Sequence, residues 1–366
     1  MNRCKVIIHV GPGKCGSFSL QKIFLDASRS RHLGYIKVAP NTIKAMESNS
    51  LETGEVDELF DAIKKLVNSF PLVIISHEFF FQNLNAIVKL ATNVKQFARS
   101  VTVVGFCRPQ SAFLASAYSQ WIFRDKTRLI EIDDILRKAC FNPILFSGVE
   151  RYYIAAVLTG FDSARQRSGR NILDWYKHYS QLAIMLKPLN IKVKVEQLLS
   201  GGTNVTLAKN FCRLSDLNAD YFTKYATSLN VINPAYNEHL VEVIANGNRL
   251  GLDMIPNEHY NDRLLSFSNL QNIAPCFNSK VLDKLKLYVS WYFEDSNTRL
   301  ADEFQFDFNF PEGKYINGSV FAKDKECELN LILKFLRSEQ ELRLIDIESI
   351  LLYHQQISSL LLKAVI

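Results

Sequence analysis

Short runs dominated by Val and Ile recur along the chain at Lys5 to Val10, Leu72 to Ser76, Val101 to Cys107 and Ile191 to Glu196. A nearly uniform β-branched run predicts a strand buried on both faces. Between these runs apolar residues return at spacings of three and four, which predicts amphipathic helices. The helices read this way cover Ser17 to Ala27, Val56 to Asn68, Asn83 to Ala98, Ser111 to Phe123 and Ile172 to Lys187. Strand and helix alternate, so the expected fold is α/β, with a central parallel sheet between layers of helices. Past Glu196 the pattern turns mostly helical, with segments at Leu207 to Leu214, Glu238 to Leu250, Ser279 to Tyr292 and Ser296 to Phe304. A turn-rich patch from Asp307 to Asn317 carries Pro311 and Gly313, and two Leu-rich amphipathic segments end the chain. Residues 306 to 366 read as a helical C-terminal appendage used for packing or dimerisation, or else as a lid.

Composition changes this picture little. Hydrophobic residues make up 48% and charged residues 22%, the balance of a folded globular chain. The 43 basic and 37 acidic side chains leave a net charge of +6, which suits anionic ligands but lacks the concentrated basic block of a nucleic-acid binder. No apolar stretch approaches the roughly 20 residues of a membrane span, and the run from Val6 to Val10 is too short for a signal sequence. The 7 cysteines are an odd, widely spaced set without a CxxC pair, so reduced thiols in a cytoplasmic protein are expected.

The first strand runs into Gly11-Pro12-Gly13-Lys14-Cys15-Gly16-Ser17-Phe18-Ser19 and then directly into a helical pattern. Glycines let backbone N–H groups turn around an anion, the helix N-terminus adds partial positive charge, and the loop lysine adds a full one. The loop is not of the Walker A type, because Ile8 stands where that motif has its first Gly and Cys15 where it has the hydroxyl residue that holds magnesium. A phosphate or phosphosulfate donor that needs no bound metal is the better match, and no His or Cys spacing suggests a metal site. A tight strand-to-helix turn with an exposed lysine is the plainer alternative.

A second anionic site is expected where the strand Val101 to Cys107 ends in Arg108-Pro109-Gln110, because open α/β sheets bind ligands at the carboxyl ends of their strands. Ser116 follows two helical turns later, and a guanidinium fork plus a hydroxyl is a suitable clamp for a phosphate. The chain also resembles the sulfotransferases that use 3′-phosphoadenosine 5′-phosphosulfate, in particular the bacterial, carbohydrate-type branch. The resemblance lies in His9-Val10-Gly11-Pro12-Gly13-Lys14-Cys15-Gly16-Ser17-Phe18-Ser19-Leu20-Gln21 and in the spacing of Arg108, Ser116, Tyr118 and Gln120. Weaker similarities from Trp175 to Glu196 and from Asp295 to Leu300 extend it over residues 4 to 305.

What the resemblance implies is a P-loop-like domain over residues 1–305, with an acceptor-side insertion at about 124–170. It implies that Lys14, Cys15, Gly16, Ser17, Phe18 and Ser19 hold the 5′-phosphosulfate, largely through backbone N–H groups, and that Arg108 and Ser116 hold the 3′-phosphate. Cys15, Ser17 and Phe18 depart from the family's threonines.

Transfer of a sulfuryl group also needs a base for the acceptor proton and a cation for charge building on the leaving phosphate. Lys14 suits the second role. His77 and Glu78, at the end of the strand Leu72 to Ser76, are the candidates for the first, with Glu78 favoured by its resemblance to the bacterial branch. Arg165, Arg167 and Arg170 form a carboxylate-free basic stretch that either recognises an acidic saccharide or is a solvated loop. The expected partner is a glycan or small-molecule acceptor, not a nucleic acid, together with a second copy bound through the C-terminal helices. A P-loop kinase and a non-catalytic nucleotide-binding protein of the same fold are the rival readings.

Overall fold

The computed structural model describes residues 4–30, 32–48, 53–161, 173–198, 202–229, 238–252, 277, 279–309 and 324–365. In chain order the elements are β1 (Lys5–His9), α1 (Ser17–Ser28), β2 (Gly34–Lys37), α2 (Pro40–Ser48), α3 (Thr53–Ser69), β3 (Leu72–Ser76), α4 (Leu84–Lys95) and β4 (Ser100–Cys107). There follow α5 (Gln110–Tyr118), α6 (Lys126–Lys138), α7 (Gly148–Leu158), α8 (Trp175–Leu186), β5 (Lys192–Gln197), α9 (Asn204–Leu214) and α10 (Thr223–Thr227). The last are α11 (Glu238–Arg249), α12 (Lys280–Tyr292), α13 (Glu294–Phe304), α14 (Lys325–Ile345) and α15 (Ile347–Val365). Single 3₁₀ turns lie at Glu78–Gln82, Ile122–Arg124, Pro143–Leu145 and Lys187–Leu189. No described helix is long and apolar enough to cross a membrane.

Two compact units share the chain, which passes between them repeatedly. The first comprises residues 1–109, 174–233 and 295–309, and the second 110–173, 234–294 and 310–366.

The first unit is the α/β body that the alternation of strands and helices predicts. Its five strands are ordered β2-β3-β1-β4-β5 and all pairs are parallel. Parallel strands need crossovers that lay helices on both faces, so every residue of β3 and all but the first of β4 are buried. α1, α9 and α10 pack together in one layer, and α2, α3, α4 and α8 in another. The register aligns His9 of β1 with Ser76 of β3 and Val104 of β4, which brings the carboxyl ends of the three strands to one edge. β2 has no counterpart in the sequence expectation; it spans four residues, of which Tyr35 and Ile36 are the apolar pair.

The second unit is helical among its described residues. Its core includes Tyr118, Phe123, Leu129, Val243, Ile244, Tyr353, Ile357 and Leu360, drawn from three distant stretches of sequence. α7 starts on a capping box in which the Ser147 N–H donates to the Glu150 carboxylate (2.8 Å) and the Glu150 N–H to the Ser147 hydroxyl (3.4 Å). The same carboxylate takes a two-pronged grip from Arg343 of α14 (2.8 and 2.9 Å), whose guanidinium also donates to the Leu145 carbonyl (2.8 Å). Both charged groups are buried, so each depends on the other for its stability in the interior. α14 and α15 are thereby built into this unit.

Candidate functional site

The loop after β1 occupies residues 10–16. β1 and β4 remain paired up to His9 and Val104, where the Val10 N–H donates to the Val104 carbonyl (2.9 Å), and the chain then leaves the sheet. The Cys15 N–H closes a turn on the Pro12 carbonyl (3.3 Å). Lys14 and Gly16 both lie in the left-handed region, at φ 67° and 80°. Gly16 has two reasons to be glycine: its φ, and the side chain of Leu207, which would sit 2.7 Å from an added Cβ. At Lys14 the same backbone region costs about 1 kcal/mol and has to be held by its surroundings.

That hold comes from Arg108. Its Nη1 donates to the Lys14 carbonyl (3.0 Å), so the residue that ends β4 reaches the loop that follows β1. Parallel pairing of the two strands makes this reach short. The Arg108 Nε is buried with no hydrogen-bond partner among the described residues, and the fork has donors beyond the one spent on the loop.

α1 begins at Ser17 with no side-chain cap on its first amides, and its first internal bond runs from the Leu20 N–H to the Gly16 carbonyl (3.0 Å). The amides of Ser17, Phe18 and Ser19 therefore have no intrahelical acceptor, and they carry the partial positive charge of a helix start. The Ser17 hydroxyl is buried and donates within the loop, to the Gly11 (3.3 Å) and Pro12 (3.1 Å) carbonyls. Cys15 points inward, fully buried, and burial pushes its thiol up to about 12. Phe18 carries its ring into solvent at 49% exposure. Ser19 and Lys14 are half-buried.

Beneath the loop, His9 Nδ1 meets the Ser76 hydroxyl (2.8 Å) while Nε2 has no hydrogen-bond partner among the described residues. An added Cβ on Gly11 would lie 3.2 Å from that Nε2, so the imidazole supports the loop from inside. Complete burial drives the His9 pKa down to about 3 and keeps the ring neutral.

At the end of β3, His77 and Glu78 stand on the same sheet edge as the loop. His77 caps a 3₁₀ turn, its Nδ1 accepting the Phe79 N–H (3.0 Å). Burial, then the charge of Lys37, lowers its pKa to about 4. With the Nδ1 lone pair used and the ring neutral, the second nitrogen carries the proton, so His77 acts as a donor and has no vacant position for a proton. Glu78 opens the 3₁₀ turn half-buried, with no hydrogen bond or ion pair among the described residues. Of the two candidates, His77 thus has its Nδ1 occupied, and Glu78 has no such contact among the described residues.

Ser116 lies on α5 in the second unit, half-buried, its carbonyl accepting the Ser119 hydroxyl (3.4 Å). Tyr118, from the same sequence pattern, is buried with its hydroxyl on Glu242 (3.4 Å). Arg165, Arg167 and Arg170 fall outside the described residues.

Two further residues bear on the site and were absent from the sequence expectation. Trp175 donates its indole N–H to the Arg108 carbonyl (2.8 Å), and Tyr179 donates its hydroxyl to the Phe106 carbonyl (2.9 Å). The signal for them was Gly105 inside a β-branched run, because a glycine within a strand marks the close approach of another group.

No protein-family model matches the chain, and no curated protein matches it. Among solved structures, the crystal structure of a sulfotransferase from Alicyclobacillus acidocaldarius is similar at 11% identity and a TM-score of 0.40, covering 82% of this chain and 96% of that one.

Proposed function

We propose that the chain is a sulfotransferase that moves a sulfuryl group from 3′-phosphoadenosine 5′-phosphosulfate to a hydroxyl or amine of a saccharide or glycoconjugate. The observation that carries this reading is the 3.0 Å bond from Arg108 to the Lys14 carbonyl. It ties the residue after β4 to the backbone of the loop after β1 at one sheet edge, beside three uncapped helix amides, an arrangement suited to a nucleotide with two separate anionic ends. The buried, unpartnered Nε of Arg108 and the bare amides of Ser17, Phe18 and Ser19 fit phosphate oxygens in number and chemistry.

In the proposed reaction the acceptor oxygen or nitrogen forms a bond to sulfur as the bond from sulfur to the 5′-phosphate oxygen breaks. Glu78 takes the acceptor proton, and Lys14 faces the charge that builds on the leaving phosphate. Arg108 holds the 3′-phosphate, and Ser116 is assigned to the same phosphate on its sequence spacing alone.

Calorimetric titration with 3′-phosphoadenosine 5′-phosphate tests the donor site, with ATP and magnesium as the competing ligand. Micromolar binding of the bisphosphate without magnesium is expected. No binding at millimolar bisphosphate, or tighter binding of magnesium–ATP, would overturn the assignment.

A further inference from the structure

β1 and β4 part company above His9 and Val104: β1 turns off into the loop while β4 continues to Cys107. The parting leaves carbonyls on the β1 side of β4 without a ladder neighbour, and buried carbonyls rarely stay unpaired. Cys107 between them faces the other way and accepts the Leu198 N–H (2.7 Å). α8 supplies what β1 no longer does. Tyr179 donates to Phe106 and Trp175 to Arg108, at 2.9 and 2.8 Å. Gly105 admits this packing, since an added Cβ would lie 2.4 Å from the Tyr179 hydroxyl oxygen.

From Trp175 a polar chain runs on to the loop. The indole fixes the Arg108 carbonyl, the Arg108 guanidinium fixes the Lys14 carbonyl, and the Lys14 backbone is the left-handed one that has to be held. The Trp175 ring is fully buried, so its N–H has no water to fall back on.

We propose that Trp175 is a positioning residue of the donor loop: it sets the Arg108 backbone, and through it the shape of residues 11–16, so that nucleotide bound in the loop is felt at the indole. The part about nucleotide rests on the donor-site reading above; the mechanical link to the loop does not. Tyr179 makes the same kind of bond two residues earlier, to the Phe106 carbonyl, which is not a link of the Trp175–Arg108–Lys14 chain, and serves as the internal control.

The test uses the full chain with Trp175→Phe, which keeps an aromatic ring and removes the N–H, alongside Tyr179→Phe. Hydrogen exchange of the ligand-free proteins is read first. Amides of residues 11–19 should exchange about five- to tenfold faster in Trp175→Phe, as expected for one lost internal hydrogen bond. They should be unchanged in Tyr179→Phe. Equal loop exchange in wild type and Trp175→Phe, or equal acceleration in both variants, overturns the link whatever the ligand. Titration with 3′-phosphoadenosine 5′-phosphate comes second, in a protein where Trp121 and Trp291 are replaced by Phe so that Trp175 is the single emitter. A shift of its emission on binding, with five- to tenfold weaker affinity in Trp175→Phe, is expected. Binding with silent emission and unchanged affinity overturns the coupling to ligand. Accelerated loop exchange in a protein that binds no bisphosphate would instead uphold the link and remove the donor assignment.

Discussion

Replacing Arg108 by Lys keeps the positive charge at the end of β4 and removes the fork. In the wild type one Nη donates to the Lys14 carbonyl at 3.0 Å, and in the proposed function the other N–H groups of the guanidinium hold a phosphate. A single ammonium on a flexible stem cannot hold both in fixed geometry. The lost contact is a charge-assisted hydrogen bond, a class worth about 1.5–3 kcal/mol. Converted at about 1.4 kcal/mol per factor of ten, this predicts that 3′-phosphoadenosine 5′-phosphate binds about 10- to 150-fold more weakly to Arg108→Lys. Calorimetry measures this directly, and a ligand-free urea titration run in parallel should show a loss below about 2 kcal/mol. Because Arg108 also braces the left-handed Lys14, turnover at saturating donor should fall together with affinity. An affinity within about threefold of wild type would refute the reasoning: charge alone would then suffice, and the bond to Lys14 would have no part in shaping the site.

Gly16→Ala should destabilise the ligand-free protein by about 2 kcal/mol or more through its φ of 80° and the 2.7 Å approach of Leu207; adding Leu207→Ala should relieve the collision in the loop and restore part of the bisphosphate binding, read by calorimetry. Glu78→Gln should lower kcat by about 10²- to 10⁴-fold with bisphosphate affinity unchanged. His77→Ala should lower it much less, and a larger effect in His77→Ala reverses the choice of base. His9 and His77 have folded pKa values near 3 and 4, below the unfolded value of about 6.5, so between those limits the unfolded chain binds the extra protons. Stability is therefore fully present above about pH 6.5 and falls as the pH is lowered, by about 1.4 kcal/mol per pH unit for His9 alone; equal urea midpoints at pH 7.5 and pH 5 would contradict this. Arg343→Met leaves Glu150 buried without its partner and should cost about 3–5 kcal/mol, visible as a large drop in the urea midpoint.

The strands that hold the site were legible because each is a block of β-branched residues with both faces covered, and the glycine loop was legible because its chemistry is local. The 3.0 Å approach of Arg108 to Lys14 follows from parallel pairing of β1 and β4, which neither segment states alone. β2 escaped notice because a four-residue edge strand buries too little to impose a pattern. The occupation of His77 Nδ1 by the Phe79 amide was not legible either: it is a consequence of the 3₁₀ turn that follows the strand. The start of α7 carries a local Ser-x-x-Glu capping pattern in Ser147 and Glu150, yet the sequence expectation placed no helix there. Trp175 and Tyr179 could be found only through Gly105, whose missing side chain hints at a close neighbour without naming it.

The core of the second unit draws Phe123 and Leu129 from early in the chain and Ile357 and Leu360 from its last turns. During synthesis at about 5–20 residues per second, the early apolar side chains leave the ribosome on the order of 10–50 s before their partners exist. This half of the protein therefore cannot close its core until α15 has emerged, and until then its early apolar segments stay open. Premature termination anywhere before α15 would yield a chain with a permanently open core, destined for proteolysis or aggregation.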